Sequence, residues 1–298
     1  MGLLEIRETR LWVEDLGSPD KPPVLYLHGG PGAGCYDFVL QQGERLSQSL
    51  RIIAFDQRGV LRSDPLEDSL TLQDLIEDCE ALRIRLGIER WSVLGHSFGG
   101  YLGLAYALRY PEAVSALVFE NPSFDIRSSV DSLLHAAALE YGALGEQSRL
   151  AQCMGLINSA RQTPRDAWAQ AMDLLAGLGD RRNSLYVHGQ NKDFFDAVVA
   201  GAPFPADRWE RGLAHVRALE QDGAMFDPLT PYFGNVEQPT LLIRGKYDAV
   251  FGLDQIYQYL CAKPDTHLLV ATQSGHFVRV EEPELFCSAV ADFCGRRP

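Results

Sequence analysis

The chain has 298 residues, 46% hydrophobic and 22% charged, the balance of an ordinary globular protein able to bury a sizeable core. With 27 basic and 40 acidic residues the net charge is −13, which excludes the basic footprint of a nucleic-acid binder and disfavours adhesion to anionic lipid. No run approaches the ~18 consecutive apolar residues of a membrane helix, and Glu5 and Arg7 sit where a signal peptide needs its apolar segment, so a cytoplasmic protein is expected.

The elements follow in chain order. Leu3–Thr9 and Leu11–Leu16 read as paired early strands, closed by the turn Gly17-Ser18-Pro19-Asp20. Val24–Leu27 is a buried strand ending at His28-Gly29-Gly30-Pro31-Gly32, and Arg51–Phe55 is the next strand, ending at Asp56. Thr71–Leu86 has apolar residues at helical spacing. Trp91–Leu94 is a strand, Phe98–Tyr110 a helix that stops before Pro111, and Ser115–Phe119 a strand. From Asn121 to about Phe233 the pattern is helical only, rich in Ala, Leu, Arg and Asp. After Gly234 alternation resumes, with strands at Thr240–Ile243 and His267–Ala271 and helices at Asp254–Leu260 and Glu284–Cys294. Strands alternating with helices predict an α/β fold with a mostly parallel sheet flanked by helices. The expected organisation is a core built from residues 1–120 and 235–298, interrupted by a helical cap over residues 121–234. The six cysteines form no Cys-x-x-Cys pair and read as ordinary reduced thiols, with neither zinc spacing nor a disulfide framework.

The sharpest chemical signal is Gly95-His96-Ser97-Phe98-Gly99-Gly100, a Gly-x-Ser-x-Gly sequence between a predicted strand and a predicted helix. A sharp strand-to-helix turn would present Ser97 at the strand's carboxyl end, with a helix N-terminus behind it that favours developing negative charge. A serine nucleophile needs a base, and the base needs an orienting acid. Asp248 and His276 both lie just past predicted strand ends, in the chain order nucleophile, acid, base. His135, His188, His215 and His267 are set aside as residues of helices or a strand, and His96 as too close to Ser97 in sequence. Glu120, at another strand end, is the competing acid and a candidate substrate contact. The glycine loop after Val24–Leu27 suits an oxyanion hole, with the N–H of Gly30 (Gly29 as its alternative) joining that of Phe98.

His28–Gly32, Asp56-Gln57-Arg58-Gly59, Gly95–Gly100, Tyr247-Asp248 and Gly275-His276 together resemble the proline iminopeptidase (prolyl aminopeptidase) branch of the α/β-hydrolases. The resemblance implies an α/β-hydrolase fold, a Ser97–Asp248–His276 triad, an oxyanion hole at Gly30 and Phe98, and no metal or organic cofactor. It also implies a structural role for Asp56 and Arg58, through an ion pair or hydrogen bonds. That family holds the substrate's free amine with cap glutamates, one of them in a Glu-Asn-His-Tyr-Phe stretch. Here the nearest counterpart, Asn183 to Phe195, lacks the glutamate, leaving Glu140, Asp193, Glu210 and Glu220 as acidic alternatives. The expected function is hydrolysis of an acyl bond through an acyl-enzyme, on a small-molecule or short-peptide substrate, with aminopeptidase action as the leading reading. An esterase, lactonase or carbon–carbon-bond hydrolase would use the same triad, and a catalytically silent ligand receptor is the reading from another class.

Overall fold

The computed structural model describes residues 2–67, 69–159, 162–189 and 191–295, the side chain of Lys192 aside. Eight strands form one sheet in the order β1-β2-β4-β3-β5-β6-β7-β8. They are β1 (Gly2–Ile6), β2 (Thr9–Leu16), β3 (Pro23–Leu27), β4 (Arg51–Phe55), β5 (Trp91–His96), β6 (Val114–Glu120), β7 (Thr240–Gly245) and β8 (His267–Ala271). β1 and β2 pair antiparallel and β2 joins β4 antiparallel, while every pair from β4 through β8 is parallel. The early hairpin turns at Arg7-Glu8, earlier than the sequence pattern suggests. Arg7 sits at φ 53° and reaches across to Asp74 and Asp78, which holds the chain reversal there.

The central strands are buried on both faces, as parallel strands covered by helices must be. Alternation splits their side chains between two apolar clusters: Leu25, Ile53, Val93 and Phe119 face one side, and Val24, Ile52, Leu94 and Val118 the other. The first cluster runs on without a break into Val130, Leu134, Leu174 and Phe226, so the helices between β6 and β7 pack directly on the sheet side of the molecule. Those helices are Ile126–Ala143, Gln147–Ile157, Pro164–Ala176, Phe194–Gly201 and Asp207–Asp222, and no strand occurs among the described residues between β6 and β7.

Local chemistry explains the well-formed elements. Leu72–Arg85 starts on a reciprocal capping box, with Thr71 accepting from the Asp74 N–H and Asp74 from the Thr71 N–H. A helical stretch that the sequence pattern does not announce links β3 to β4: Tyr36–Phe38, a π-helical turn Val39–Gly43, and Glu44–Ser47. Among the described residues, no helix is long and apolar enough to cross a membrane.

Sheet order fixes where a site can form. From β3 the chain steps to β4 on one side and then returns to β5 on the other, so the carboxyl ends of β3 and β5 flank a topological switch point. The loop at His28–Gly32 and the turn at Ser97 occupy those two ends.

Candidate active site

Ser97 follows β5 directly and precedes the helix Phe98–Arg109, with φ 54° and ψ −121°. Such a conformation is costly for a residue bearing a Cβ, by about 1–3 kcal/mol, and persists only where neighbours hold it. Here the Ser97 N–H donates to the Glu120 carbonyl at 3.1 Å, and the Ser97 carbonyl accepts from Gly100 and Ser123. A Cβ on Gly99 would collide with the Leu27 carbonyl oxygen, so only glycine lets the helix start lie this close to β3.

His276 and Asp248 come from the loops after β8 and β7. The His276 Nδ1–H donates to Asp248 Oδ1 at 2.9 Å, which leaves Nε2 as the lone-pair nitrogen. Asp248 also accepts from the Val250 N–H on Oδ1 and the Phe251 N–H on Oδ2, so both carboxylate oxygens are fixed. Asn121 ties these loops together. Its amide donates to the carbonyls of Gly275 and His276 at 3.0 and 2.9 Å, and its side-chain oxygen accepts from Gly245 at 2.9 Å.

The glycine loop borders the same place. The Gln57 N–H donates to His28 Nε2 at 3.2 Å, so the other ring nitrogen carries the proton and donates to the Gly29 carbonyl at 3.0 Å. The Gly29 carbonyl also accepts from Ala33 and so faces back into its own loop. Gly30, the next residue, lines the cavities beside Ser97. Phe98 follows Ser97 as the first residue of its helix, where an N–H has no intrahelical partner.

Glu120 closes β6, the strand end at which the sequence reading put it, but its side chain turns to Arg279. It is fully buried, accepts from the Arg279 backbone N–H and guanidinium, and lines neither cavity at Ser97. Its oxygens are engaged by Arg279, and the carboxylate bonded to His276 is that of Asp248. Burial raises its pKa, and Arg279 opposes that shift. Arg279 also pairs with Asp37, and these two, rather than Glu120, reach the cavity wall. His96 lines that wall too: its Nε2–H donates to the His276 carbonyl at 3.0 Å, and burial, with Arg279 and His276 nearby, holds its pKa well below the ordinary imidazole value. His188 lies in a loop, not in a helix or strand, and stacks on Tyr247 with ring centroids 3.6 Å apart. Asp56 and Arg58 are both ion-paired, but not to each other: Asp56 binds Arg62 and Arg58 binds Asp78.

The segment between β6 and β7 touches the His276 loop directly. The His276 N–H donates to the Tyr186 carbonyl at 2.7 Å, and Glu281 accepts from the N–H groups of both Gly275 and His188. Burial pushes Glu281 up to about 7, against the pull of those two N–H groups.

Two chambers meet at Ser97. The first, about 420 Å³, is lined by His276, Phe277, Phe194, Phe195 and Trp209, with Asp37 and Arg279. The second, about 390 Å³, is lined by Phe98, Val130, Leu133, Met172, Val216 and Glu220. Gly30, Ser97, Arg182 and Tyr186 belong to both. Of the acidic alternatives, only Glu220 lines either chamber; it accepts from the Trp168 indole N–H at 2.7 Å, while Glu140 pairs with Arg181. Among the described residues, no group of three or more His, Cys, Asp or Glu is arranged to hold a metal ion. Sequence reasoning missed Asn121, Arg182 and Arg279. Asn121 alone carried a local signal, as a polar residue at a strand end before a proline.

The sequence pattern of the alpha/beta hydrolase fold family matches residues 22–283. The proline iminopeptidase of Neisseria gonorrhoeae is 30% identical over 289 residues, covering 92% of this chain and 89% of that protein. The proline iminopeptidase of Xylella fastidiosa strain 9a5c is 46% identical, but over 114 residues, so that this chain covers 36% of its length. Among solved structures, a proline iminopeptidase-related protein of Thermus thermophilus superposes with a TM-score of 0.76 at 22% identity, covering 98% of this chain and 95% of that one. An esterase of Exiguobacterium antarcticum gives 0.68 at 21% identity, covering 99% and 100%. At such identities the structural likeness is one of fold. The chain belongs to the α/β-hydrolase family, on its proline iminopeptidase-like branch.

Proposed function

We propose that Ser97, His276 and Asp248 act as nucleophile, base and orienting acid in acyl hydrolysis. The observation that carries this reading is the His276–Asp248 hydrogen bond on the wall of a cavity shared with Ser97. His276 Nε2 takes the Ser97 proton as Oγ adds to the substrate carbonyl, and the N–H groups of Gly30 and Phe98 receive the oxyanion. His276 then protonates the leaving group, and water repeats the sequence on the acyl-enzyme. The helical block over residues 121–234 serves as the cap that closes the site and selects the substrate.

Within this chemistry the enzyme is an aminopeptidase acting on short peptides or aminoacyl amides, in keeping with its relatives named proline iminopeptidase. An α-ammonium in a partly dry pocket needs a carboxylate partner, since stranding it costs several kcal/mol. Glu220 supplies one on the acyl side. A matched pair tests this: an aminoacyl naphthylamide and its N-acetyl analogue. The free amine should be preferred by about a hundredfold, worth ~2.7 kcal/mol of pairing. Equal rates, or preference for the acetylated compound, would leave the second reading, an ester or lactone hydrolase, which the apolar walls of Val130, Leu133, Met172 and Val216 favour.

A further inference from the structure

We propose that the first chamber is a leaving-group subsite for an amino acid with a large apolar side chain and a free carboxylate, and that Arg182 pairs with that carboxylate. The proposal rests on the acyl-hydrolase reading above, but not on its aminopeptidase form.

Which half of the substrate goes where follows from the base. His276 must hand its proton to the departing group, and His276 lines the first chamber and not the second. The leaving group therefore occupies the first chamber and the acyl group the second. The walls of the first chamber are aromatic: Phe194 and Phe195 pack against Phe277 with centroids 5.7 and 5.1 Å away, and Trp209 adds a further ring. Such flat surfaces suit a large apolar side chain.

Arg182 is the second half of the argument. The chain carries a surplus of 13 acidic residues, and the arginines around the site are already paired: Arg279 with Glu120 and Asp37, Arg62 with Asp56, and the adjacent Arg181 with Glu140. Arg182 is exposed and makes no ion pair among the described residues, and it lies near the Tyr186 hydroxyl. Neither acid of the two chambers is ion-paired with Arg182: Asp37 pairs with Arg279, and Glu220, on the acyl side, accepts from the Trp168 indole. A guanidinium with N–H donors to spare, lining both chambers beside Ser97, matches the planar geometry of a carboxylate. In a dipeptide the terminal carboxylate carbon lies about 2.5 Å from the scissile nitrogen, so only a residue next to the reacting bond can hold it. A longer peptide would offer a neutral amide there. The chemistry favours dipeptides or N-acyl amino acids over long chains.

The test compares Ala-Phe with Ala-Phe amide, and N-acetyl-Ala-Phe with its amide, in wild type, Arg182→Gln and Arg182→Lys. Wild type should favour the acid over the amide about tenfold or more in kcat/KM, chiefly through KM. Arg182→Gln should erase that preference, and Arg182→Lys should keep part of it, which separates lost charge from lost folding. If only the acetylated pair is cleaved, aminopeptidase action fails while the acid-to-amide ratio still reads Arg182. If neither pair is cleaved, calorimetric titration with L-phenylalanine and L-phenylalaninamide applies the same comparison to binding. An amide used or bound as well as the acid by wild type, or a preference that survives in Arg182→Gln, would overturn the proposal.

Discussion

Asn121 offers the most quantitative test of how the fold holds its site. It is fully buried at φ 42°, and its amide links β7's end at Gly245 to the carbonyls of Gly275 and His276. Asn121→Ala strands the Gly245 N–H and the Gly275 carbonyl, at about 1–3 kcal/mol each. The His276 carbonyl keeps its bond from His96, so the loss there is nearer 1 kcal/mol. Alanine at positive φ adds about 1 kcal/mol. The expected destabilisation is about 4–8 kcal/mol, read by urea denaturation. Because the loops carrying Asp248 and His276 are joined through this amide, kcat should fall at least about tenfold while KM moves little. Asn121→Asp is the sharper variant, because a carboxylate oxygen would face the two carbonyls that the amide now serves. It should be less stable than Asn121→Ala despite its near-identical shape. An alanine variant within about 1 kcal/mol of wild type with kcat preserved, or an aspartate variant more stable than the alanine one, would refute this reasoning.

Two further predictions follow from the same network. Asp248→Asn should leave the backbone bonds of the turn largely in place but lower kcat by roughly three to four orders of magnitude, because the imidazole loses control of its tautomer; a loss under tenfold in single-turnover assays would contradict the acid assignment. His215 is buried, donates from Nδ1 to the Arg58 carbonyl and has no partner at Nε2; burial lowers its pKa from 6.5 to about 3. Since the unfolded chain takes up that proton first, the stability His215 contributes is complete above pH ~6.5 and is lost as pH falls toward 3. The stability gap between wild type and His215→Gln should therefore shift by about 2 kcal/mol between pH 7 and pH 5, and a gap that ignores pH would show that the imidazole is not held neutral.

The parts of the fold visible in the sequence were those set by local pattern. Short β-branched runs mark β3 to β8; β3 to β7 are buried and need unbroken apolar residues, while β8 is a largely exposed edge strand. The strand–turn–helix setting of Ser97, and the strand-end positions of Asp248 and His276, could be read because each depends on its own neighbours in the chain. The stretch Tyr36–Ser47 escaped notice because Gln41-Gln42-Gly43 interrupts its apolar spacing at the π turn. The partners of Glu120 are hidden for a different reason. Its partner Arg279 lies 159 residues away, and Arg279 in turn finds Asp37 at a separation of 242. Nothing local distinguishes a strand-end carboxylate that faces a cavity from one spent on a buried guanidinium. Arg182 likewise becomes meaningful only when the helical block lies over both chambers.

The central claim is that Ser97 is an activated nucleophile served by His276. Labelling with a fluorophosphonate, followed by peptide mass spectrometry, tests it most directly. The account predicts stoichiometric modification confined to Ser97, slowed by several orders of magnitude in His276→Ala and absent in Ser97→Ala. Modification at another residue, or a folded protein that leaves Ser97 unlabelled, would contradict it.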